Sequence, residues 1–266
     1  MRKKFFATID SSDNYGMSLD GALEKLKQGT NVKKMVGEDT LTAICRRMAY
    51  KNRDAFLGEK EKIGLIFATE YGNLTSMLEM SQKAIHGEYV STKSFSNALI
   101  SSASNATALL LESKGLNLTI NSGYYSYISA IELAALYIDT GELDTCIIMT
   151  GDHYNEFSIS DVKQMYPEIT TFRSKVTISV LSVYPQKYYL EDINIIKLYD
   201  KHSMHIYFGD MLWQDNCDIV FKEKEYFASS FLYDVLHKAF IQNKEDVEVV
   251  LGRINNIMYR IKLKKV

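Results

Sequence analysis

The chain has 266 residues, of which 46% are hydrophobic and 24% charged, and its net charge is near −2. This composition is typical of a globular protein and offers no basic surplus for binding nucleic acid. Three widely spaced cysteines without a CxxC pair argue against a disulfide framework. No apolar run reaches the roughly 18 residues of a membrane span. The basic opening also lacks a signal peptide's apolar segment, so we expect a cytoplasmic protein.

Hydrophobic periodicity predicts alternating strands and helices through the first part of the chain. Continuous apolar runs are typical of strands buried on both faces, and glycine commonly follows the end of a helix. The predicted elements are a strand at 5–9, a helix from Asp39 or Thr40 to about Phe56, a strand at 63–69, helices at 74–85 and 106–113, a strand at 116–120, a buried helix at 125–140 and a strand at 145–150.

The last three of these elements predict a βαβ unit with a parallel pair of strands and a right-handed crossover. Beyond residue 152 the patterns are weaker. They predict a strand at 175–184, one or two strands within 203–222, a helix at 227–243 and closing strands at 247–251 and 257–263. With no repeat and no obvious linker, residues 1–266 are interpreted as one α/β domain.

The segment 118–130, LTINSGYYSYISA, places a small residue between a strand end and a buried helix. A sharp strand-to-helix turn at Gly123 would project one side chain above the sheet and aim backbone N–H groups at it, as a nucleophile requires. The side chain at this position belongs to Tyr124. A phenol with an ordinary pKa of about 10 is a poor acyl acceptor. The alternative interpretation is that Tyr124 fills a pocket or an interface.

Four segments in order, 63–76, 94–120, 121–152 and 175–185, resemble the N-terminal half of β-ketoacyl synthases, which have the thiolase fold. They correspond to the early strand and glycine turn, the dimer-interface segment with its helix, the nucleophile strand with the central helix, and the closing strand. The resemblance implies a thiolase-like α/β fold with a complete N-terminal half, 1–185, and a shortened C-terminal half, 186–266.

The sequence also departs from that family. Tyr124 stands where β-ketoacyl synthases keep their nucleophilic cysteine, and the HGT-type histidine motif and GFGG-type loop are absent. Condensation needs a thiolate to carry the acyl chain and two imidazoles to assist the chemistry. The combination resembles the short chain-length-factor-like proteins of aryl-polyene and related polyketide clusters, so the resemblance implies a non-catalytic member of this acyltransferase family.

The resemblance further implies partners, and no cofactor. It implies a catalytic ketosynthase as heterodimer partner, or a homodimer, and an acyl carrier protein. The residues it assigns to the elbow and acyl tunnel are Ser122, Gly123, Tyr124 and Tyr125, and those it assigns to the dimer interface are Ser94, Phe95, Ser96, Asn97, Ser101 and Asn105. The basic residues Arg46, Arg47, Lys51 and Arg53 are a candidate patch for the acidic carrier protein, or simply a solvated helix face.

Other residues carry weaker hypotheses. His202 and His205 have a metal-compatible spacing but no clear third ligand, so no metal site is predicted. Asp152 and His153 follow a strand, where α/β proteins keep ligands, although a polar loop after the strand is the favoured interpretation. Cys45 and Cys146 are expected in the core, and the acidic neighbours of Cys217 would raise the pKa of its thiol.

Two other functions stay open. One is an acyl-transfer or hydrolytic enzyme that uses Ser122 or Ser126 near the elbow. The other is a degenerate homodimer that acts as a binding or regulatory protein.

Overall fold

The computed structural model describes residues 2–13, 19–33, 35, 38–165, 167, 169–197, 207–208, 211–212, 225–226, 228–254 and 257–266. The helices are α1 (Asp20–Gly29), α2 (Thr40–Lys51), α3 (Leu74–Ile85), α4 (Thr92–Ala98), α5 (Ser102–Leu111), α6 (Ser126–Asp139), α7 (Glu156–Met165) and α8 (Phe231–Ile241). The strands are β1 (Phe5–Asp13), β2 (Ile63–Thr69), β3 (Asn117–Asn121), β4 (Thr145–Asp152), β5 (Thr171–Phe172), β6 (Lys175–Ser182), β7 (Tyr188–Lys197), β8 (Tyr207–Phe208), β9 (Met211–Leu212), β10 (Glu225–Tyr226), β11 (Asp246–Ile254) and β12 (Ile257–Lys265).

Eight strands form one mixed sheet in the order β11-β12-β7-β1-β6-β4-β2-β3. Strands β3, β2 and β4 are parallel, and the remaining pairings are antiparallel. Strand β1 meets β7 only where Phe5 and Phe6 face Tyr189 and Tyr188. This short junction divides the sheet into an N-terminal arm, β3-β2-β4-β6-β1, and a C-terminal arm, β7-β12-β11.

Helices α6 and α8 form a central layer that both arms share. Ile128, Ile131 and Ala134 of α6 belong to the same hydrophobic cluster as Leu232 and Leu236 of α8. The C-terminal arm contributes the inward side chains Tyr188, Leu190, Val247, Val249, Ile261 and Leu263 to this cluster. A helix that is apolar around most of its circumference must be buried on more than one side, and α6 satisfies this by lying against both arms.

The opposite face of the N-terminal arm is covered by α1, α2 and α5. Leu41, Ile44 and Met48 of α2 pack in a second cluster with Leu65 and Phe67 of β2. Every residue of β2 and β4 is buried. The continuous apolar runs of these strands are therefore explained by helices on both faces of the arm.

The outer face of the C-terminal arm carries charge instead of a helical layer in the described part of the chain. Asp192 on β7 and Glu248 on β11 flank β12, where Arg260 pairs with both carboxylates and Lys262 with Glu248. Along β12 these cations alternate with the buried Ile261 and Leu263. One face of the arm is therefore apolar and the other is polar. The described residues thus form a mixed α/β fold, in which the N-terminal arm has helices on both faces and the C-terminal arm has helices on its inner face.

Most predicted elements are confirmed, with local corrections. Helix α2 ends at Lys51, short of the predicted Phe56, because Asn52 bonds to the carbonyl of Met48 and stops the helix. The expected parallel pair does not pair directly, since β2 lies between β3 and β4 and bonds to both. Helix α7 and strand β7 were not predicted, whereas the strands β8 and β9 fall within the predicted segment 203–222.

We expect Ile131→Ala to lower the free energy of unfolding by about 2–5 kcal/mol, as truncations of buried aliphatic side chains do. Ile131 is fully buried in the central layer. Leu136→Ala on the same helix is the matched control, because Leu136 is 56% exposed and should change stability by only about 0.5 kcal/mol. Urea unfolding followed by circular dichroism measures both, and equal losses would contradict the assignment of α6 to the central layer.

A polar seam fastens α8 to the N-terminal arm. Thr8 on β1 lies 2.9 Å from Nδ1 of His237, whose ring stacks on Tyr233 at 5.4 Å. Lys175 on β6 pairs with Asp234, one turn away on α8. Burial lowers the pKa of His237 below 6.5, against the opposing charges of Asp234 and Asp10 and with the help of Lys175.

This shift predicts a loss of stability in mild acid. Because the folded state binds fewer protons at His237 than the unfolded state, stability falls as the pH drops below 6.5, the ordinary pKa of histidine. His237→Gln should flatten the dependence of the unfolding free energy between about pH 6.5 and pH 5. His86→Gln, at the exposed end of α3, should leave the slope as it is. An unchanged slope for His237→Gln would refute this role.

Candidate functional site

The predicted strand-to-helix turn is present at the start of the central helix. Strand β3 ends at Asn121, a 3₁₀ turn covers Gly123–Tyr125, and α6 begins at Ser126. Gly123 has φ of +56°, a left-handed conformation that glycine adopts without strain. We call this 3₁₀ turn the elbow. The backbone of Tyr124 lies in its middle, while the Tyr124 side chain, predicted to be buried, lies outside the described residues. Tyr125 is buried, its ring 5.3 Å from that of Tyr259.

The hydroxyl of Ser126 is hydrogen-bonded to the elbow and to the end of β2. It accepts a hydrogen bond from the backbone N–H of Ser122 at 2.8 Å and donates toward the carbonyls of Thr69 and Gly123 at 2.8 and 2.7 Å. Ser126 is fully buried. A hydroxyl held in this way stabilises the turn and has no free path to an acyl substrate, so the structure argues against Ser126 as a nucleophile. Ser122 is exposed.

Asp152 is the polar centre beneath the elbow. Its Oδ1 accepts hydrogen bonds from the Thr69 hydroxyl at 2.8 Å and from the N–H groups of Glu70 and Tyr71 at 2.9 Å each. Its Oδ2 accepts from the hydroxyl of Ser229. Asp152 is only 2% exposed. Consecutive N–H groups of this kind can hold an anion, and here the chain's own carboxylate fills the position.

His153 follows Asp152 and is half-buried. Burial lowers the pKa of its imidazole, against the opposing charges of Asp20 and Asp39. Asp39 caps α2 through the N–H of Thr42, and burial raises the pKa of its carboxyl. Within the described ranges no group of three or more His, Cys, Asp or Glu side chains could hold a metal ion. His202 and His205 lie outside the described residues.

The two described thiols belong to the core. Cys45 lies on the inner face of α2, and Cys146 lies within β4. Burial raises the pKa of both thiols well above the ordinary value, so neither is a reactive thiolate. Both are free cysteines, as expected for core residues. Cys217 lies outside the described residues.

The residues assigned by resemblance to a dimer interface lie on the surface of α4 and α5. Phe95 is 53% exposed, and Asn105 is exposed and accepts a hydrogen bond from Asn117 of β3. None of the six is buried: Ser94, Phe95, Ser96, Asn97, Ser101 and Asn105. Their placement leaves them available to a partner.

The neighbouring surface is unusually apolar. No residue of α3 is buried, although the helix carries Met77 and Ile85. The exposed Tyr89 and Leu99 continue this surface towards α4. Strand β3 also forms one edge of the sheet in the described part of the chain. Exposed apolar helices and an open strand edge, here connected through α5, are features of a docking surface.

The basic patch was predicted wrongly in part. Arg46 and Arg47 are buried, and both guanidinium groups lie against the carboxylate of Glu38. They are neither a solvated helix face nor a docking surface, because a buried counterion and backbone carbonyls hold them inside. Lys51 remains on the surface, paired with Asp10, and Arg53 stacks on a tyrosine ring.

A separate open groove of about 810 Å³ lies between α7 and β5. Ile159, Lys163 and Phe172 line it with polar neighbours, and none of the predicted site residues does. No helix in the described ranges is both long and apolar enough to cross a bilayer.

Comparison with known proteins gives the fold a name. No family model matches the sequence, and no curated protein matches it either. Among solved structures, the ishigamide ketosynthase/chain length factor has a TM-score of 0.70 at 12% identity, with 99% of each chain covered. A β-ketoacyl synthase from Burkholderia phymatum STM815 has a TM-score of 0.68 at 10% identity, with 100% of each chain covered.

A third solved structure is the ketosynthase ApeO in complex with its chain length factor ApeC from Xenorhabdus doucetiae. It has a TM-score of 0.59 at 8% identity, covering 98% of this chain and 99% of that one. Identities this low speak for the fold alone. The chain has the thiolase-like fold of ketosynthases and chain length factors.

Proposed function

We propose that this chain is a non-catalytic, chain-length-factor-type subunit that pairs with a catalytic β-ketoacyl synthase in polyketide, aryl-polyene or fatty-acid-like biosynthesis. The observation that carries the proposal is the elbow. In a ketosynthase fold, the turn that begins the central helix presents Tyr124, where the resemblance places the nucleophilic cysteine. A phenol at that position cannot carry the acyl chain as a thiolate would.

The rest of the described chain supports this reading. Cys45 and Cys146 are held in the core with raised pKa values, so neither replaces the missing thiol. The similar solved structures include a ketosynthase/chain length factor and a type II acyl-carrier protein in complex with its ketosynthase. A fold that serves both catalytic and chain-length subunits in those assemblies suits a partner role here.

The partner would dock on the surface formed by α3, α4 and the edge strand β3. This surface combines exposed apolar side chains such as Phe95 and Tyr89 with open backbone groups along β3. Water-exposed aromatic side chains of this kind are characteristic anchors of protein interfaces. The partner would supply the cysteine and the two histidines, and a carrier protein would approach the assembled pair.

The docking surface is tested by Phe95→Glu. A charge at an aromatic anchor that the interface would bury should weaken the complex with a catalytic ketosynthase by roughly tenfold or more. Phe157→Glu is the matched control, because Phe157 is an equally exposed phenylalanine (58% against 53%) on α7. Co-expression followed by size-exclusion chromatography and titration measures both affinities.

Weakening by both variants, or by neither, would contradict the placement of the interface. Self-association of the isolated chain, abolished by Phe95→Glu, would instead assign the same surface to a homodimer.

The chain-length role is tested by Tyr124→Ala in the reconstituted pair. If Tyr124 plugs the end of an acyl tunnel, its removal should lengthen the products, while the loss of stability stays below the roughly 3–5 kcal/mol of a truncated core aromatic. Tyr125→Ala is the comparison, since its ring is buried against Tyr259 and its loss should mainly destabilise. Product mass spectrometry and thermal unfolding provide the readouts.

A large loss of stability for Tyr124→Ala with unchanged products would make Tyr124 an ordinary core residue. Robust condensation of acyl and malonyl groups by the isolated chain would remove the proposed function altogether.

A further inference from the structure

The C-terminal half reaches the elbow through a second 3₁₀ turn. This turn, Ala228–Ser230, leads into α8 and lies against the elbow and against the end of β4. Both of its serines are buried and both hydroxyls are bonded to groups near the carboxyl end of β4. Ser229 donates to Asp152, whereas Ser230 bonds to the hydroxyl of Thr150 at 2.8 Å.

The bonds of Asp152 continue from this turn to the elbow. One carboxylate oxygen receives Ser229, and the other receives Thr69 together with the N–H groups of Glu70 and Tyr71. The carbonyl of Thr69 then accepts the hydroxyl of Ser126, which in turn accepts the N–H of Ser122. Hydrogen bonds, continued through the backbone of Thr69, therefore join the start of α8 to Ser122, the residue before the elbow.

We infer that Asp152 is a positioning residue that couples the conformation of the elbow to the docking of the C-terminal half. One oxygen of the carboxylate accepts a hydrogen bond from Ser229 before α8. The other accepts hydrogen bonds from the backbone N–H groups of Glu70 and Tyr71 after β2. Glu70 continues this backbone, and its carboxylate lies 4.0 Å from the place where a Cβ on Gly123 would stand. A rotation of Asp152 would thus be transmitted to the elbow through Thr69 and Ser126.

Burial makes the coupling strong. With Asp152 2% exposed, a carboxylate oxygen that loses its donor finds no water to replace it, and the group turns to satisfy itself elsewhere. The coupling is a property of this chain alone, and it holds whichever protein covers the α3–α4 surface.

The two serines of the turn provide the test. In Ser229→Ala, the amides of Glu70, Tyr71 and Ser122 should exchange hydrogen for deuterium about tenfold faster, because the carboxylate that orders them has lost its second anchor. Asp152→Asn should accelerate the same amides further. Ser230→Ala is the matched control, one residue away with the same loss of one buried hydroxyl bond, and should leave these amides unchanged relative to the amides of α2.

Amide exchange resolved by residue, by NMR or by mass spectrometry with fragmentation, measures the effect on the full chain. Equal acceleration in Ser229→Ala and Ser230→Ala would reduce the effect to general loosening of α8 and overturn the inference. Unchanged exchange at Glu70 and Tyr71 in Ser229→Ala would overturn it as well. If Asp152→Asn fails to fold, the two serine variants decide alone.

Discussion

The fold depends on the burial of α6. A helix with the sequence SYISAIELAALYID has apolar or small residues around most of its circumference, and one sheet can cover only one of its sides. The N-terminal arm covers one side, α8 and the inner face of the C-terminal arm cover another, and Leu136 lies on the side that stays exposed. The meeting of the two halves is therefore a consequence of how this one helix satisfies the hydrophobic effect.

The same constraint places the elbow beside the start of the C-terminal half. Because α6 begins where β3 ends, the turn that carries Tyr124 lies where the two halves meet. Backbone polar groups in such a place need partners inside the protein. Ser126 and Asp152 provide them, and Ser229 brings one from the other half. Hydrogen bonds thus satisfy the polar groups of the elbow, whereas burial in the central layer satisfies the apolar side chains of α6.

Sequence patterns predicted the elements whose environment is uniform along their length. Strand β2 is buried throughout, helix α6 is largely apolar with eight of its fourteen residues buried, and both were predicted to within a residue or two. The closing strands β11 and β12 were also predicted, and they pair as a hairpin. Helix α7 was missed because its apolar positions are few and its surroundings mainly polar.

The errors at the candidate site have a different cause. The elbow is local, so Gly123 between a strand and a helix predicted it from sequence. The burial of Arg46 and Arg47 depends on Glu38 and on the carbonyls of the preceding loop, and spacing along α2 alone predicts a basic face instead. The bond between Ser229 and Asp152 joins residues that are 77 positions apart. Contacts between residues so far apart in the sequence depend on the topology of the fold, which hydrophobic periodicity does not predict.

The C-terminal arm of the sheet provides what α6 and α8 require. Their burial needs a second apolar surface besides the N-terminal arm, and β7, β12 and β11 provide it with their inner face. An outer helical layer would bury the other face, but there Asp192, Glu248, Arg260 and Lys262 form ion pairs in water. Exposed pairs of this kind contribute little to stability, and in the described part of the chain they make this face of the arm polar. Under the proposed function the catalytic groups come from a partner, so this half needs only to complete the core and hold the elbow.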